Sequence, residues 1–273
     1  MTERRRCAVL GSPIAHSLSP VLWRAAYAGL DLDWTYDAIE CTADALPERL
    51  AAMAVSGEWA AVSLTMPLKL TAVGLVDELD AAAAAAGAVN TVVFGDDGVL
   101  RGLNTDVPGL TACLEESGAV VADRAAPVVL GGGGTARAAI VALGRAGAEV
   151  VRVLVRDPAR ATALLTVGAR SGCEVRPEPW PESAARLGEP PVVVQCTPAG
   201  AADSLAATDW PAGVPLIEAL YEPWPTPLGG AAQAAGARVV GGRRLLVHQA
   251  RVALEATTGR LVPAKILSDS LDG

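Results

Sequence analysis

The chain has 273 residues, enough for one large or two medium domains; 51% of it is hydrophobic and only 4% aromatic, so small aliphatic side chains must fill its core. Its 22 Lys and Arg stand against 30 Asp and Glu, a net charge of −8. That balance excludes the basic footprint of a general nucleic-acid binder, although local arginines still suit an anionic small molecule.

Short apolar runs alternate with helical patterns along the chain. Cys7–Leu10 reads as a strand, followed by a Gly-Ser-Pro loop and a helix over Pro20–Gly29. Thr35–Ile39 is a second strand, Leu46–Val55 a second helix and Ala60–Leu64 a third strand. The alanine run Ala81–Ala86, preceded by Asp77, Glu78 and Asp80, reads as a helix of a soluble protein, too short to span a membrane. Ala88–Phe94 and Val99–Gly102 flank Asp96-Asp97-Gly98, a hairpin signal. Pro108–Ser117 is the next helix, and Val128–Leu130 a buried strand. The glycine run Gly131–Gly134 follows, then a helix over Thr135–Gly144 and a strand over Val150–Val155. Pro177–Pro191 reads as surface loop around a short helix. Val192–Gln195 and Pro215–Glu218 are further strands, and Leu245–Thr258 is the last helix. This alternation predicts an α/β fold with parallel sheets.

The cysteines Cys7, Cys41, Cys113, Cys173 and Cys196 are scattered, odd in number and form no C-x-x-C pair. They suggest neither a disulfide framework nor a zinc site, and fit free thiols in a reducing cytoplasm. His16 and His248 lie far apart, so no metal is expected. The apolar run after Arg4-Arg5-Arg6 is broken by Gly11, Ser12 and Pro13 and makes a poor signal peptide.

The strongest chemical signal is Leu130-Gly-Gly-Gly-Gly-Thr-Ala-Arg137, which fits G-x-G-x-x-A between a strand and a helix. Gly131 permits the tight turn and Gly133 lets the backbone approach a pyrophosphate. Ala136 lets helix and strand pack closely, and the helix N-terminus offers free N–H groups. The next strand ends in Val155-Arg156 instead of Asp or Glu, with Arg160 four residues on. Two guanidinium groups there suit a 2′-phosphate, which favours NADP over NAD. Asp157 fits two readings, a helix cap or a competitor for one of those arginines.

In the N-terminal half, Ser17 and Ser19 stand two residues apart just before a helix, where Ser19 followed by Pro20 also reads as an ordinary N-cap. Asn-Thr occurs in both Ala88-Val-Asn-Thr91 and Gly102-Leu-Asn-Thr-Asp106; Asn90 fits a strand-end turn and Asp106 a helix cap as well as a site. Val62-Ser-Leu-Thr-Met-Pro-Leu-Lys69 ends an uncharged stretch on an ammonium, which reads either as a solvated surface lysine or as a proton donor that also stabilises a developing alkoxide. On the last helix, Gln249 shares a face with Leu245, Val252, Ala253 and Ala256, and an amide there needs polar partners.

In these motifs the sequence resembles the shikimate dehydrogenases. The resemblance rests on Ser12–Pro20, Val62–Lys69, Gly87–Thr91, Asn104–Asp106, Gly131–Arg137 and Leu245–Ala250, in that order along nearly the whole chain. It implies NADPH-linked reduction of 3-dehydroshikimate to shikimate, in aromatic amino-acid biosynthesis. It implies catalytic roles for Lys69 and Asp106, and substrate contacts from Ser17, Ser19, Thr65, Lys69, Asn90, Asp106, Tyr221 and Gln249. It also implies cofactor contacts from Gly131, Gly132, Gly133, Gly134, Thr135, Ala136, Arg156, Arg160, Thr197 and Gly242. The chain departs from the pattern at Ser63, where Asn is usual, at Val155 and Asp157 around Arg156, at Gln195 before Thr197, and at Arg243 and Arg244.

The expected architecture is two α/β domains around a cleft. A substrate domain covers 1–106 and is completed by 242–273; a Rossmann-type doubly wound NADP-binding domain covers 107–241. A cytoplasmic monomer or homodimer is expected, with a small-molecule substrate and neither nucleic acid nor membrane as partner. Quinate or aminoshikimate dehydrogenases of the same family, and a non-catalytic dinucleotide sensor, are the rival functions.

Overall fold

The computed structural model describes residues 5–121 and 125–271. Arg4 of the N-terminal arginine run lies outside the described residues. The chain divides into two compact units, Met1–Thr105 with Leu246–Gly273, and Asp106–Leu245.

The first unit runs β1 (Arg6–Gly11), α1 (Ser19–Gly29), β2 (Thr35–Glu40), α2 (Leu46–Ser56), β3 (Trp59–Leu64), β4 (Glu78–Leu79), α3 (Ala81–Ala86), β5 (Thr91–Phe94) and β6 (Leu100–Leu103). Its sheet has the order β2-β1-β3-β5-β6-β4. β2, β1 and β3 are parallel, and β5 runs antiparallel to both β3 and β6. β1 is buried on both faces, as its apolar run requires. Cys7 and Val9 pack with Leu22, Trp23 and Ala26 of α1, while Ala8 and Leu10 pack with Leu46, Leu50 and Met53 of α2. The last three recur at i, i+4 and i+7 and form one helical face. α3 holds despite its length because Asp80 accepts the Ala83 N–H at 2.6 Å.

The second unit runs α4 (Asp106–Ser117), β7 (Val128–Leu130), α5 (Gly134–Arg145), β8 (Val150–Val155), α6 (Thr162–Ser171), β9 (Glu174–Pro179), β10 (Val193–Gln195), α7 (Asp203–Ala206), β11 (Leu216–Glu218), α8 (Pro227–Ala234) and β12 (Val239–Val240). Every strand pair is parallel, in the order β12-β11-β10-β7-β8-β9. This is the doubly wound dinucleotide-binding order, with its reversal between β7 and β10. α9 (Gly242–Thr258) carries the chain back into the first unit, and α10 (Ala264–Leu271) follows.

Four features depart from the sequence reading. The first hairpin arm is shorter, Thr91–Phe94, because Val89 and Asn90 donate their N–H groups to Lys69 and Leu103 outside a regular ladder. Part of the supposed loop at Pro177 is β9, an edge strand, where a missing N–H is tolerated. α6, α8 and α10 stand where glycine, proline or short length obscured the periodicity. Finally, the buried face of α9 carries Val247, Ala250, Ala253 and Leu254; Ala256 is exposed, and Gln249 sits half-buried at the edge of that face.

At the C-terminal end of β1 the backbone of Gly11 lies so close to β3's following loop that a Cβ there would stand 2.3 Å from Thr65 Cγ2 and 3.0 Å from the Met66 carbonyl oxygen. Gly11→Ala should therefore push the two loops apart and cost about 1–3 kcal/mol, the usual range for overpacking. Thermal unfolding checks this: a clear fall in Tm is expected, and an unchanged Tm contradicts the close approach.

Candidate active site

The first unit gathers its candidate residues at the C-terminal ends of β1 and β3. The lysine loop is pinned along its length: Thr65 N donates to Leu10 O (2.9 Å), Ser12 N to Met66 O (3.0 Å), Leu68 N to Thr65 O (2.8 Å) and Val89 N to Lys69 O (2.8 Å). Leu68 is fully buried, which anchors the half-buried Lys69 beside it. Ser17 closes a turn onto Ile14, and its Oγ accepts the Ser19 N–H at 3.3 Å. Ser19 is not the N-cap that Ser-Pro suggests. Leu18 holds that position without a side-chain cap, and Ser19 is already the first residue of α1, with its side chain turned inward and only 8% exposed.

Asn90, Thr105 and Gln249 form one polar cluster among buried apolar groups. Asn90 Nδ2 donates to Thr105 Oγ1 (2.9 Å), and Asn90 Oδ1 accepts the Thr105 N–H (2.8 Å). Thr105 Oγ1 lies 3.2 Å from Gln249 Oε1, and Gln249 Nε2 donates to Leu246 O at 3.0 Å. A hydroxyl has one proton. Since Asn90 Oδ1 already accepts the Thr105 N–H and the Thr91 hydroxyl, the Thr105 proton is best used toward Gln249 Oε1. Beside the group, Asn104 Nδ2 donates to Ala88 O at 2.8 Å. Sequence reasoning passed over Thr105. The repeated Asn-Thr pair was the available signal, because the two copies hydrogen-bond to each other.

In the second unit, Asp106 is the first residue of α4 and nearly buried, so it opens the helix from within instead of preceding it as a cap. Gly131 adopts φ +104°, a conformation open to glycine, and turns the chain from β7 toward α5. Gly132 and Gly133 are exposed, Gly134 opens α5, Thr135 is half-buried in its first turn, and Ala136 is fully buried against the sheet. Thr197 Cγ2 stands 3.0 Å from where a Gly131 Cβ would lie, so the β7 and β10 ends meet at the switch point. Gln195 holds Thr197 there: its Oε1 accepts the Thr197 N–H at 2.5 Å and the Thr197 hydroxyl at 2.9 Å.

Arg156 is exposed just past β8. Asp157 Oδ1 accepts the Ala159 N–H at 3.1 Å and caps the short turn Pro158–Ala161, in line with the capping alternative. The side chain of Arg160 lies outside the described residues. Gly242 opens α9 and donates its N–H to Leu220 O at 3.2 Å, next to the half-buried Tyr221. Arg244 forms an ion pair with Glu116 of α4. Among the described residues, no three His, Cys, Asp or Glu side chains gather as a metal site, and no helix is long and apolar enough to cross a membrane.

A family model described as the shikimate dehydrogenase substrate binding domain matches residues 9–92. A protein of Symbiobacterium thermophilum named shikimate dehydrogenase (NADP(+)) is 35% identical, over 98% of this chain and 96% of its own length. The chain belongs to the shikimate dehydrogenase family. Solved structures agree with the assignment. Mycobacterium tuberculosis shikimate dehydrogenase is 38% identical with a TM-score of 0.84, over 98% of this chain and 99% of that one. The Thermus thermophilus shikimate 5-dehydrogenase in complex with NADP(H) and shikimate is 33% identical with a TM-score of 0.81, over 98% of both chains.

One buried acid in this shikimate dehydrogenase fold lies three residues from Tyr221. Glu218, at the end of β11, is completely buried, and Thr226, the N-cap of α8, donates its hydroxyl to Oε2 at 2.8 Å. Burial pushes the carboxyl up to about 7, and the Asp203 carboxylate adds to the rise, while the bonds from Thr226 and from the Leu220 N–H oppose it. A carboxyl raised in the folded state binds its proton more tightly there than in the unfolded chain. Its protonated form is therefore favoured by folding, and stability falls as pH rises from the ordinary carboxylate range to about 7. A rise of this size corresponds to a loss on the order of 3 kcal/mol across that window. Glu218→Gln keeps an acceptor for Thr226 and removes the titration. Denaturant unfolding at pH 5 and pH 8 should show the variant gaining on wild type only at the higher pH; an equal difference at both would contradict the assignment.

Proposed function

We propose that this chain catalyses the reversible, NADP-dependent reduction of 3-dehydroshikimate to shikimate in the shikimate pathway. The observation that carries the reading is the whole-length match to proteins named shikimate dehydrogenase (NADP(+)), together with a second unit that fits a dinucleotide. The fit rests on the open glycine turn at the switch point, the N–H groups that begin α5 and the exposed Arg156 past β8. NADPH supplies the hydride when bound.

The remaining work falls to side chains. Lys69, held by its pinned loop, donates the proton to the carbonyl oxygen as the alkoxide develops and stabilises that charge. Asp106 bonds a substrate hydroxyl. Ser17, Ser19, Thr65, Asn90, Tyr221 and Gln249 orient the hydroxylated ring. The guanidinium of Arg156, with Arg160, selects the 2′-phosphate of NADP. The cytoplasmic setting and the monomer or homodimer expected from the sequence belong to the same reading.

Absorbance at 340 nm with shikimate and NADP+ tests the reading directly. Wild type should turn over shikimate with NADP+ far better than with NAD+, and better than it turns over quinate. Lys69→Ala should retain NADPH binding and lose on the order of 10²–10⁴ in kcat. A loss below about tenfold would remove Lys69 as the proton donor. No turnover by wild type would leave the dinucleotide sensor as the better reading.

A further inference from the structure

A single residue, Gly241, links β12 to α9, and Gly242 opens that helix. Neither glycine has a positive φ, so backbone conformation does not reserve these positions for glycine. Space does. A Cβ at Gly242 would stand 2.5 Å from the Leu220 carbonyl carbon and oxygen and 2.6 Å from the Ala219 oxygen. A Cβ at Gly241 would fall into the Trp224 ring, 2.5 Å from Cη2 and 2.7 Å from Cζ2. The segment after β11 therefore lies on this turn at two points, its backbone against Gly242 and its indole against Gly241. That segment is fixed at both ends. Ala219 donates its N–H to Gln195 O at 3.0 Å, and Thr226, two residues beyond the ring, donates its hydroxyl to the buried Glu218 at 2.8 Å. The indole is 39% exposed, so it covers the turn without entering the core.

We propose that Trp224 is a positioning residue for the dinucleotide: its ring, packed on Gly241, holds the Gly241–Gly242 turn against the Leu220 backbone, and so sets where Gly242 meets the cofactor. This rests on the reading above that NADP binds this unit, with Gly242 among its contacts. A residue without a side chain meets a ligand only through its backbone, so its place is set entirely by the turn that carries it. One tie on that turn is the 3.2 Å bond from Gly242 N to Leu220 O; the ring on Gly241 is the other. A glycine pair without the ring has wide backbone freedom, and ordering it on binding would weaken the complex.

The alternative is that the indole only covers the turn and serves stability. Calorimetric titration with NADPH, alongside thermal unfolding of the same variants, separates the two roles. Trp224→Ala should weaken NADPH binding by about three- to tenfold, the cost of ordering a loosened segment, and leave KM for shikimate at saturating NADP+ within about twofold. Trp224→Phe keeps an aromatic ring over Gly241 and should bind NADPH within about twofold of wild type. Gly241→Ala puts a methyl group where the ring lies and should weaken NADPH binding as well. In the Trp224→Ala background the same change should add little, because its obstacle is gone. Gly241→Ala also carries the test if the Trp224→Ala variant loses its fold. Unchanged NADPH binding in both Trp224→Ala and Gly241→Ala, whatever their Tm, would overturn the positioning role and leave the dinucleotide reading standing. A wild type that bound no NADPH would remove that reading and the positioning role with it.

Discussion

The point where the chain leaves the first unit and the point where it returns are held together by one hydroxyl. Thr105 is the last residue of the first unit on the way out, and α9 brings the chain back at Leu246. Between them stands a complete doubly wound unit. Such an insertion is compatible with a folded first unit only if the two crossing points stay adjacent. Thr105 does this through its side chain: it accepts from Asn90 and reaches Gln249, while its N–H goes to Asn90 Oδ1. Asn90 and Thr105 are both buried, so each unmet bond costs far more than it would at the surface. Asn90 and Gln249, for which we propose substrate contacts, are thereby fixed by the same bonds that close the unit.

The scarcity of aromatic residues sharpens this arrangement. Trp23, Tyr27, Trp34 and Tyr36 are drawn into one group of touching rings around α1 and β2, one pair stacked and two edge-on, and the rest of both cores is packed mainly with alanine, valine and leucine. Small side chains allow close approach of backbones, as at Gly11 against Thr65 and at Gly131 against Thr197. Both contacts place loops at the C-terminal ends of parallel strands, which is where open α/β sheets gather their ligands.

Much of the fold was legible in the sequence because its signals are local. The strands Val128–Leu130 and Val150–Val155 and the helix Ala81–Ala86 stand where their runs place them. The glycine turn declared a dinucleotide unit because a positive φ at Gly131 leaves few other residues possible. What was not legible depends on contacts distant in sequence. Ser19-Pro20 has the local form of a cap, and only the packed helix shows that Leu18 takes the cap position and that Ser19 is buried as the first residue of α1. Gln249 is half-buried, and its partner is Thr105, which no periodicity on α9 could indicate. The edge strand β9 was hidden by its prolines, since a propensity rule does not know which strand lies at an edge.

The central claim is that one polar cluster both closes the first unit and holds the amides of Asn90 and Gln249, the proposed substrate contacts. Thr105→Val tests it most directly, because it keeps the shape of the side chain and removes the hydroxyl. Urea unfolding and KM for shikimate should be measured together on wild type, Thr105→Val and Thr105→Ser. The account predicts that the valine variant loses about 1–3 kcal/mol, the cost of leaving buried partners unmet, and binds shikimate more weakly, while the serine variant stays close to wild type in both. A valine variant as stable and as active as wild type would contradict it.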